Sequence, residues 1–598
     1  MGKQMKVNHF LAGLGLAAIM QPGLGFAAAA VDVLAGLPNG ISSGDTSSTS
    51  TVLWARCNRK GEVKFQVNSG KLVVDQQTVT VADPLIPAKI TVDNLQPGQQ
   101  YSYQVSTADG LSLTGQFTTA PDQQAENIGL SFGVTGDWRG ELAPYPALKN
   151  IPAKELNFFI KLGDTIYADY PTPDVPLEQA LTLNDYRLKH KEVYSRHAGI
   201  NSFAKLQKDV SIFAIIDDHE VKNDFAGGAL ASAFPYLSET TGLVNQSGLY
   251  KSGIQAFTEY NAIADKTYPV VGDALTDGRP DLYRTQRYGK TAAIYMLDAR
   301  SFRDTELPGV ADTTDPQQIG GFIAQAFDAT TPASTRTMLG KAQLERLKAD
   351  LLAAQTDNVL WKFIAVPEPI QNMGVLAASD RFEGYASERS ELLRFIDENA
   401  IQNVVFISAD IHGSLVNDLT YQRREEVLNA LVTVGNPLAA PQIKTSAFDI
   451  STGSVGYAPA FGVSVIEILG AIPNGNAILS QLYGAVGVSD LAAFNQLPMA
   501  VKDAAMTGIV DAQLTPLGYS PVGLNDNEHI HAKLTKGSYS ALFNFGWTRF
   551  DIAPDTQNLK VTTYGIQPYS IEDMQTNSVE INKRRPKLLN QFVVTPNR

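Results

Sequence analysis

Short stretches in which apolar and polar positions alternate run through residues 31–121: Thr51-Val-Leu-Trp-Ala-Arg, Val63-Lys-Phe-Gln-Val, Val79-Thr-Val, Lys89-Ile-Thr-Val and Tyr101-Ser-Tyr-Gln-Val. Turn signals such as Pro97-Gly98 and Asp109-Gly110 part them. Side chains on a strand repeat a face every second residue, so this spacing predicts an antiparallel β-sandwich. After Pro121 the period changes. Apolar strand candidates alternate with helix-like stretches, as at 341–354 and 387–400, which predicts an α/β layered domain over 122–598. Residues 420–523 are rich in Ala, Gly, Pro and Leu and poor in charge, and they read as an insertion. Late strands around Ala541 and Leu559 are expected to complete a sheet of the second domain.

The chain starts with Met1-Gly-Lys-Gln-Met-Lys, an apolar run from Phe10 to Met20 and then Gly25-Phe-Ala-Ala-Ala-Ala. That is the layout of a secretory signal peptide over 1–29, so the mature protein is expected in the periplasm or outside the cell. The apolar run is about half of the ~20 residues that span a bilayer, which predicts no stable membrane insertion. Removing Lys3 and Lys6 with the leader takes the formal charge from −13 to −15. Such a surface is a poor partner for nucleic acid. The lone Cys57 makes neither an internal disulfide nor a metal cage and reads as a small strand residue. Nothing in the sequence specifies an oligomeric state.

The chemistry concentrates where four apolar runs end in acidic residues: Leu130 to Gly136-Asp137, Phe158 to Gly163-Asp164, Ile212 to Asp217-Asp218-His219-Glu220, and Val404 to Asp410-Ile-His412. In layered α/β sheets the carboxyl ends of strands line the ligand crevice, so four such ends can converge. Converging carboxylates with too few arginines or lysines repel one another in a low-dielectric crevice, and bound cations relieve that. Asp137, Asp164, the Tyr167 phenol and His412 make a hard, anionic set with one nitrogen, suited to Fe(III). Asp164 can bridge to a second ion held by Asp218 and Asp410, an oxygen-only set that favours Ca²⁺, Mg²⁺ or Mn²⁺ over zinc. Two such ions clamp a phosphate ester and acidify a shared water, which makes hydrolysis of a small phosphate ester by direct attack the predicted reaction.

Together, Gly136-Asp137, Gly163-Asp164-Thr-Ile-Tyr167, Asp217-Asp218-His219-Glu220 and Ala409-Asp410-Ile-His412 resemble the block pattern of calcineurin-like metallophosphoesterases, specifically the alkaline phosphatase D (PhoD-like) family. Leu297-Asp298-Ala-Arg300-Ser-Phe-Arg303-Asp304 and Gly40 to Arg56 resemble further segments of that family. The resemblance implies a four-layer αββα fold, an iron–calcium type of centre and hydrolysis of phosphomonoesters and phosphodiesters. It also implies Asp137, Asp164, Tyr167 and His412 as iron ligands, with Asp164, Asp218 and Asp410 at the second metal. The N-terminal module is similar to immunoglobulin and fibronectin type III sandwiches. The sequence departs from the family at Asp137, where Cys is common and where Asp is similar to purple acid phosphatases. No histidine lies between His219 and His412, so Glu368 or water is left to complete the second site.

His219 is the candidate general acid for the leaving alkoxide. Asn223, Arg139 and Arg300, with Arg303, are candidates to hold phosphate oxygens, because a guanidinium matches them bidentately. His190 and His197 read as surface residues of a helix, and His529 and His531 as solvated or packed. No Gly-x-Ser-x-Gly elbow supports a serine nucleophile. Two further readings stand beside the main one: a phosphodiesterase with phospholipase D-like specificity, and a non-catalytic binding protein stabilised by calcium.

Overall fold

Parallel strands buried on both faces must be apolar throughout, and the runs that end in acids are of that kind. In the computed structural model, which describes residues 36–237, 240–328 and 336–598, every residue of Phe158–Leu162, Ser211–Ile215, Trp361–Ala365 and Val404–Ser408 is buried. The leader expected over 1–29 lies outside the described residues.

These strands form the middles of two sheets. In the ten-stranded sheet, Leu130–Thr135, Phe158–Leu162 and Ser211–Ile215 run parallel, with Thr135 opposite Lys161 and Ile215 opposite Leu162. The late strands Phe545–Ile552, Leu559–Ile566 and Lys587–Thr595 extend it antiparallel on one side. In the seven-stranded sheet, Ala292–Met296, Trp361–Ala365, Val404–Ser408 and Ile443–Ser451 are parallel neighbours. The sheets pack face to face around Phe132, whose ring lies 4.7 Å from Phe158, 4.7 Å from Phe550 and 5.2 Å from Phe363. Helices Leu183–Val193 and Gly248–Tyr260 cover the first sheet, and Lys341–Thr356 and Ala386–Glu398 cover the second. The result is a four-layer αββα sandwich.

The N-terminal β-sandwich packs a four-stranded sheet, Leu72–Val81, Gly61–Ser69, Gln100–Thr107 and Ser112–Thr118, on Ile41–Gly44, Thr51–Ala55 and Ala88–Val92. Its second face is continuous with the main sheet, because Gly44 pairs in parallel with Ile212. A side chain at Gly44 would strike the Ala262 and Ile212 carbonyl oxygens at 2.4 and 2.5 Å, so only glycine permits that junction.

Two expectations change. Ile443–Ser451, inside the stretch read as an insertion, is an inner strand of the second sheet, with Phe448 and Ile450 in the core between the sheets. The helical part is Phe461–Ala471, Gly475–Ala485, Leu491–Asn495 and Met499–Leu514, packed on Leu415, Leu542 and Phe543. His190 is fully buried rather than on the surface, its ring stacked 5.4 Å from that of Tyr260, because its helix lies flat on the sheet. Among the described residues, no helix is long and apolar enough to cross a membrane.

Candidate metal centre

Parallel register brings the carboxyl ends of the strands to one edge, and there the backbone turns sharply. Asp137, Asp164, Asp410 and His412 all adopt left-handed φ, at 60°, 48°, 63° and 59°. A non-glycine residue in that region costs about 1–3 kcal/mol and persists where the surroundings impose it, a pattern that concentrates at functional sites. Glu220 supplies part of that constraint. Its carboxylate accepts the backbone N–H groups of Asp164 (3.1 Å), Thr165 (2.5 Å) and Asp217 (2.7 Å), tying two strand ends together. Gly163, φ +79°, allows the close approach, since a Cβ there would meet the Asp217 Cβ at 2.6 Å.

The ligating atoms of Asp137, Asp164 and His412 lie within 4.8 Å of one another, and so do those of Asp164, Asp218 and His219. Asp164 is common to both groups. The Tyr167 hydroxyl donates to Asp164 Oδ2 at 3.0 Å. Asp410 falls instead into a group with Glu368 and Asp380. The structure therefore brings Asp137, Asp164, Tyr167, Asp218, His219 and His412 together, with Asp410 at the border.

Both carboxylate oxygens of Asp137 are buried without a hydrogen-bond partner. Burial and the charge of Asp217 push the Asp137 carboxyl well above its ordinary range, and burial with Asp218 and Asp217 does the same to Asp164. Burial, with the charge of His219, lowers His412 to about 3, so its imidazole is neutral with a lone pair to give. Orphaned carboxylate oxygens, a neutral imidazole and a phenol beside a shared carboxylate fit a cation site.

His219 is oriented by a residue absent from the sequence reading. Its Nδ1 lies 2.6 Å from Asp169 Oδ1, and Asp169 also accepts the Asn223 N–H at 2.9 Å. Burial disfavours the imidazolium, but Asp218, Asp169 and Asp217 outweigh it and raise the pKa to about 9. Tyr457, from the loop after Ile443–Ser451, was also missed. Its ring stacks 3.8 Å from His412 and 4.9 Å from Tyr167, forming a wall beside the centre.

The phosphate-binding candidates separate. Arg139 lies at the rim, its guanidinium 4.5 Å from the Tyr170 ring, and Asn223 is exposed nearby with its amide on Asp224. Arg300 approaches the centre only at Asp218 Oδ1, 3.8 Å away. It is fully buried and spent on Asp217, on Glu368 and on both oxygens of Asp380 at 2.9 Å. Arg303 reinforces it, contacting Glu368 at 3.1 Å and Asp380 at 2.7 Å. The carboxylate cluster thus has internal counter-charge on its Asp217–Glu368–Asp380 side, contrary to the expectation that arginine was lacking. Oε1 of Glu368 is held by that pair, while its Oε2 is buried without a hydrogen-bond partner and Glu368 groups with Asp380 and Asp410. On the other side Asp218 has the Arg300 guanidinium at 3.8 Å and the charge of His219, whereas Asp137 and Asp164 form no ion pair with an arginine or lysine among the described residues.

Residues 135–460 match the family model described as PhoD-like phosphatase, and residues 28–121 match that of the PhoD-like phosphatase N-terminal domain. The chain is 27% identical over 424 residues to alkaline phosphatase D of Bacillus subtilis (strain 168), covering 64% of this chain and 65% of that one. It therefore spans just under two thirds of the length of that curated relative. The solved structure of PhoD aligns with a TM-score of 0.59 at 18% identity, over 92% of this chain and 99% of that one, and so shares the fold. Purple acid phosphatase PPD1 of yellow lupin (Lupinus luteus) seeds aligns with a TM-score of 0.46 at 9% identity, over 94% of this chain and 75% of that one.

Proposed function

The chain belongs to the PhoD-like phosphatase family, and from that premise we propose that it hydrolyses phosphate esters, monoesters and diesters alike, at a two-metal centre built around Asp164. The observation that carries this reading is that Asp164 belongs at once to the group with Asp137 and His412 and to the group with Asp218 and His219. Asp137, Asp164, Tyr167 and His412 would hold Fe(III), being hard and mostly anionic. Asp164 and Asp218, with Asp410 as third ligand, would hold Ca²⁺, with Mg²⁺ or Mn²⁺ as substitutes. Bound there, the cations supply charge neutralisation for the phosphate and acidify a water molecule.

The chain's own residues do the rest. Asp169 fixes the His219 ring through Nδ1, which leaves Nε2 to carry the proton given to the departing alkoxide. Arg139, held on the faces of Tyr170 and Tyr457, offers its free guanidinium edge to the non-reacting phosphate oxygens, with Asn223 beside it. Arg300 has no part in substrate binding. Its charge opposes the burial that raises the Asp217 and Glu368 carboxyls behind the centre. The leader layout supports export to the periplasm or the medium.

The iron assignment is tested by elemental analysis with a visible spectrum. The purified protein should contain one iron and show a tyrosinate-to-iron absorption band that Tyr167→Phe abolishes. A colourless, iron-free and fully active enzyme would overturn that assignment.

A further inference from the structure

A groove of about 910 Å³ opens beside the centre, between its rim and the helix Ile571–Ile581. Arg139 and Pro171 form its inner wall. Arg139 is two residues from Asp137, and Pro171 follows Tyr170, whose ring lies 5.7 Å from that of His219. The groove is therefore the direct continuation of the crevice on the Tyr170 side. Nothing in the hydrolysis of a bare phosphate monoester uses this space.

Its charges select what it can take. Arg139 is paired with Glu141 at 3.2 Å and Lys191 with Asp174 at 2.8 Å, so both cations are matched. Glu192 gives the lining a third acidic residue, beside Glu141 and Asp174, against those two cations. An anionic extension, such as a nucleic acid strand or a polyphosphate, would meet repulsion there. The floor is apolar, formed by Ala143, Ile571 and Met574, and suits carbon rather than a second phosphate. The volume is within the range of pockets that bury ligands of tens of atoms, about 300–1,000 Å³.

We propose that this groove is the subsite for the second alcohol component of a phosphodiester, and that it selects components that are uncharged or cationic. The proposal rests on the phosphoester hydrolase reading. It adds a role for the Ile571–Ile581 helix, which sets the width of the groove through the exposed Gln575 and the half-buried Ser578.

The test compares two diesters with the same leaving group, p-nitrophenyl phosphorylcholine and methyl p-nitrophenyl phosphate, on protein supplied with iron and calcium. Wild type should favour the choline ester in kcat/KM at least ~10-fold, about 1.4 kcal/mol of differential binding. Gln575→Trp, a surface change that narrows the groove, should erase that preference and leave the methyl ester unaffected; Ser578→Trp serves as the second variant. Equal rates for the two esters in wild type, or a preference that survives both tryptophans, would overturn the proposal. Calorimetric binding of sn-glycero-3-phosphocholine, which needs no turnover, separates the two claims. Binding lost in Gln575→Trp with no hydrolysis of any ester sinks the hydrolase reading and keeps the groove. Hydrolysis without such binding sinks the groove alone.

Discussion

Asp164→Asn should lower kcat/KM for phosphate esters by roughly 10³-fold or more, because one carboxylate is lost from both halves of the centre at once. Its effect on stability should have the opposite sign in the metal-free protein. The Asp164 carboxyl is held well above its ordinary range by burial and by the charges of Asp218 and Asp217. A carboxyl whose folded-state pKa is raised opposes folding at every pH above its unfolded value, so at neutral pH the neutral amide removes a cost. The metal-free variant should melt no lower than the metal-free parent, and the metal-loaded parent should melt above both. Calorimetric scans of the four samples, alongside the kinetics, check this. Turnover close to wild type would refute the shared role of Asp164.

Arg300→Met should instead damage the fold. The guanidinium is fully buried and pairs with Asp217, Glu368 and Asp380; methionine leaves Asp217 without its arginine and the other two to Arg303 alone. Breaking a buried network of this kind by removing one partner costs about 3–5 kcal/mol, which a denaturant midpoint should register. Activity should fall with the folded fraction, and the KM of what remains folded should be unchanged. A tenfold rise in KM with an unaltered midpoint would restore the phosphate-binding role that the sequence suggested for this arginine.

The misreading of Arg300 shows what a sequence can and cannot carry. Its position in Leu297-Asp298-Ala-Arg300 places it near the crevice, and it is near. Which way a guanidinium points depends on three carboxylates from two other segments, and no local pattern encodes that. The strand ends were legible for the converse reason. A parallel strand buried on both faces must be an apolar run, and an acid directly after such a run stands out. Asp137, Asp164, Asp218 and His412 were found in this way. Asp169 lies two residues after Tyr167 and was still given no role, because that role is defined by His219, fifty residues on. Tyr457 was hidden in a stretch whose Ala, Gly and Pro content dominated the reading. The β-branched and aromatic residues of Ile443–Ser451, just before it, were the available signal that the sheet continued there. Left-handed backbone at Asp137, Asp164, Asp410 and His412 leaves no mark beyond the three aspartates, a residue type that tolerates it.

The two-metal reading also explains why the counter-charge is distributed unevenly. Arginines fill the Asp217–Glu368–Asp380 side permanently, whereas Asp137 keeps two buried oxygens with no partner in the protein. Burial holds that carboxyl well above its ordinary range, and a bound cation would favour its ionised form.

The direct test is to strip the purified protein with chelators, confirm by elemental analysis that iron and calcium are gone, and follow p-nitrophenyl phosphate hydrolysis as each ion is returned. The stripped protein should be folded and inactive, and activity should return only when the site holds both kinds of ion. Undiminished hydrolysis by demonstrably metal-free protein would contradict the account.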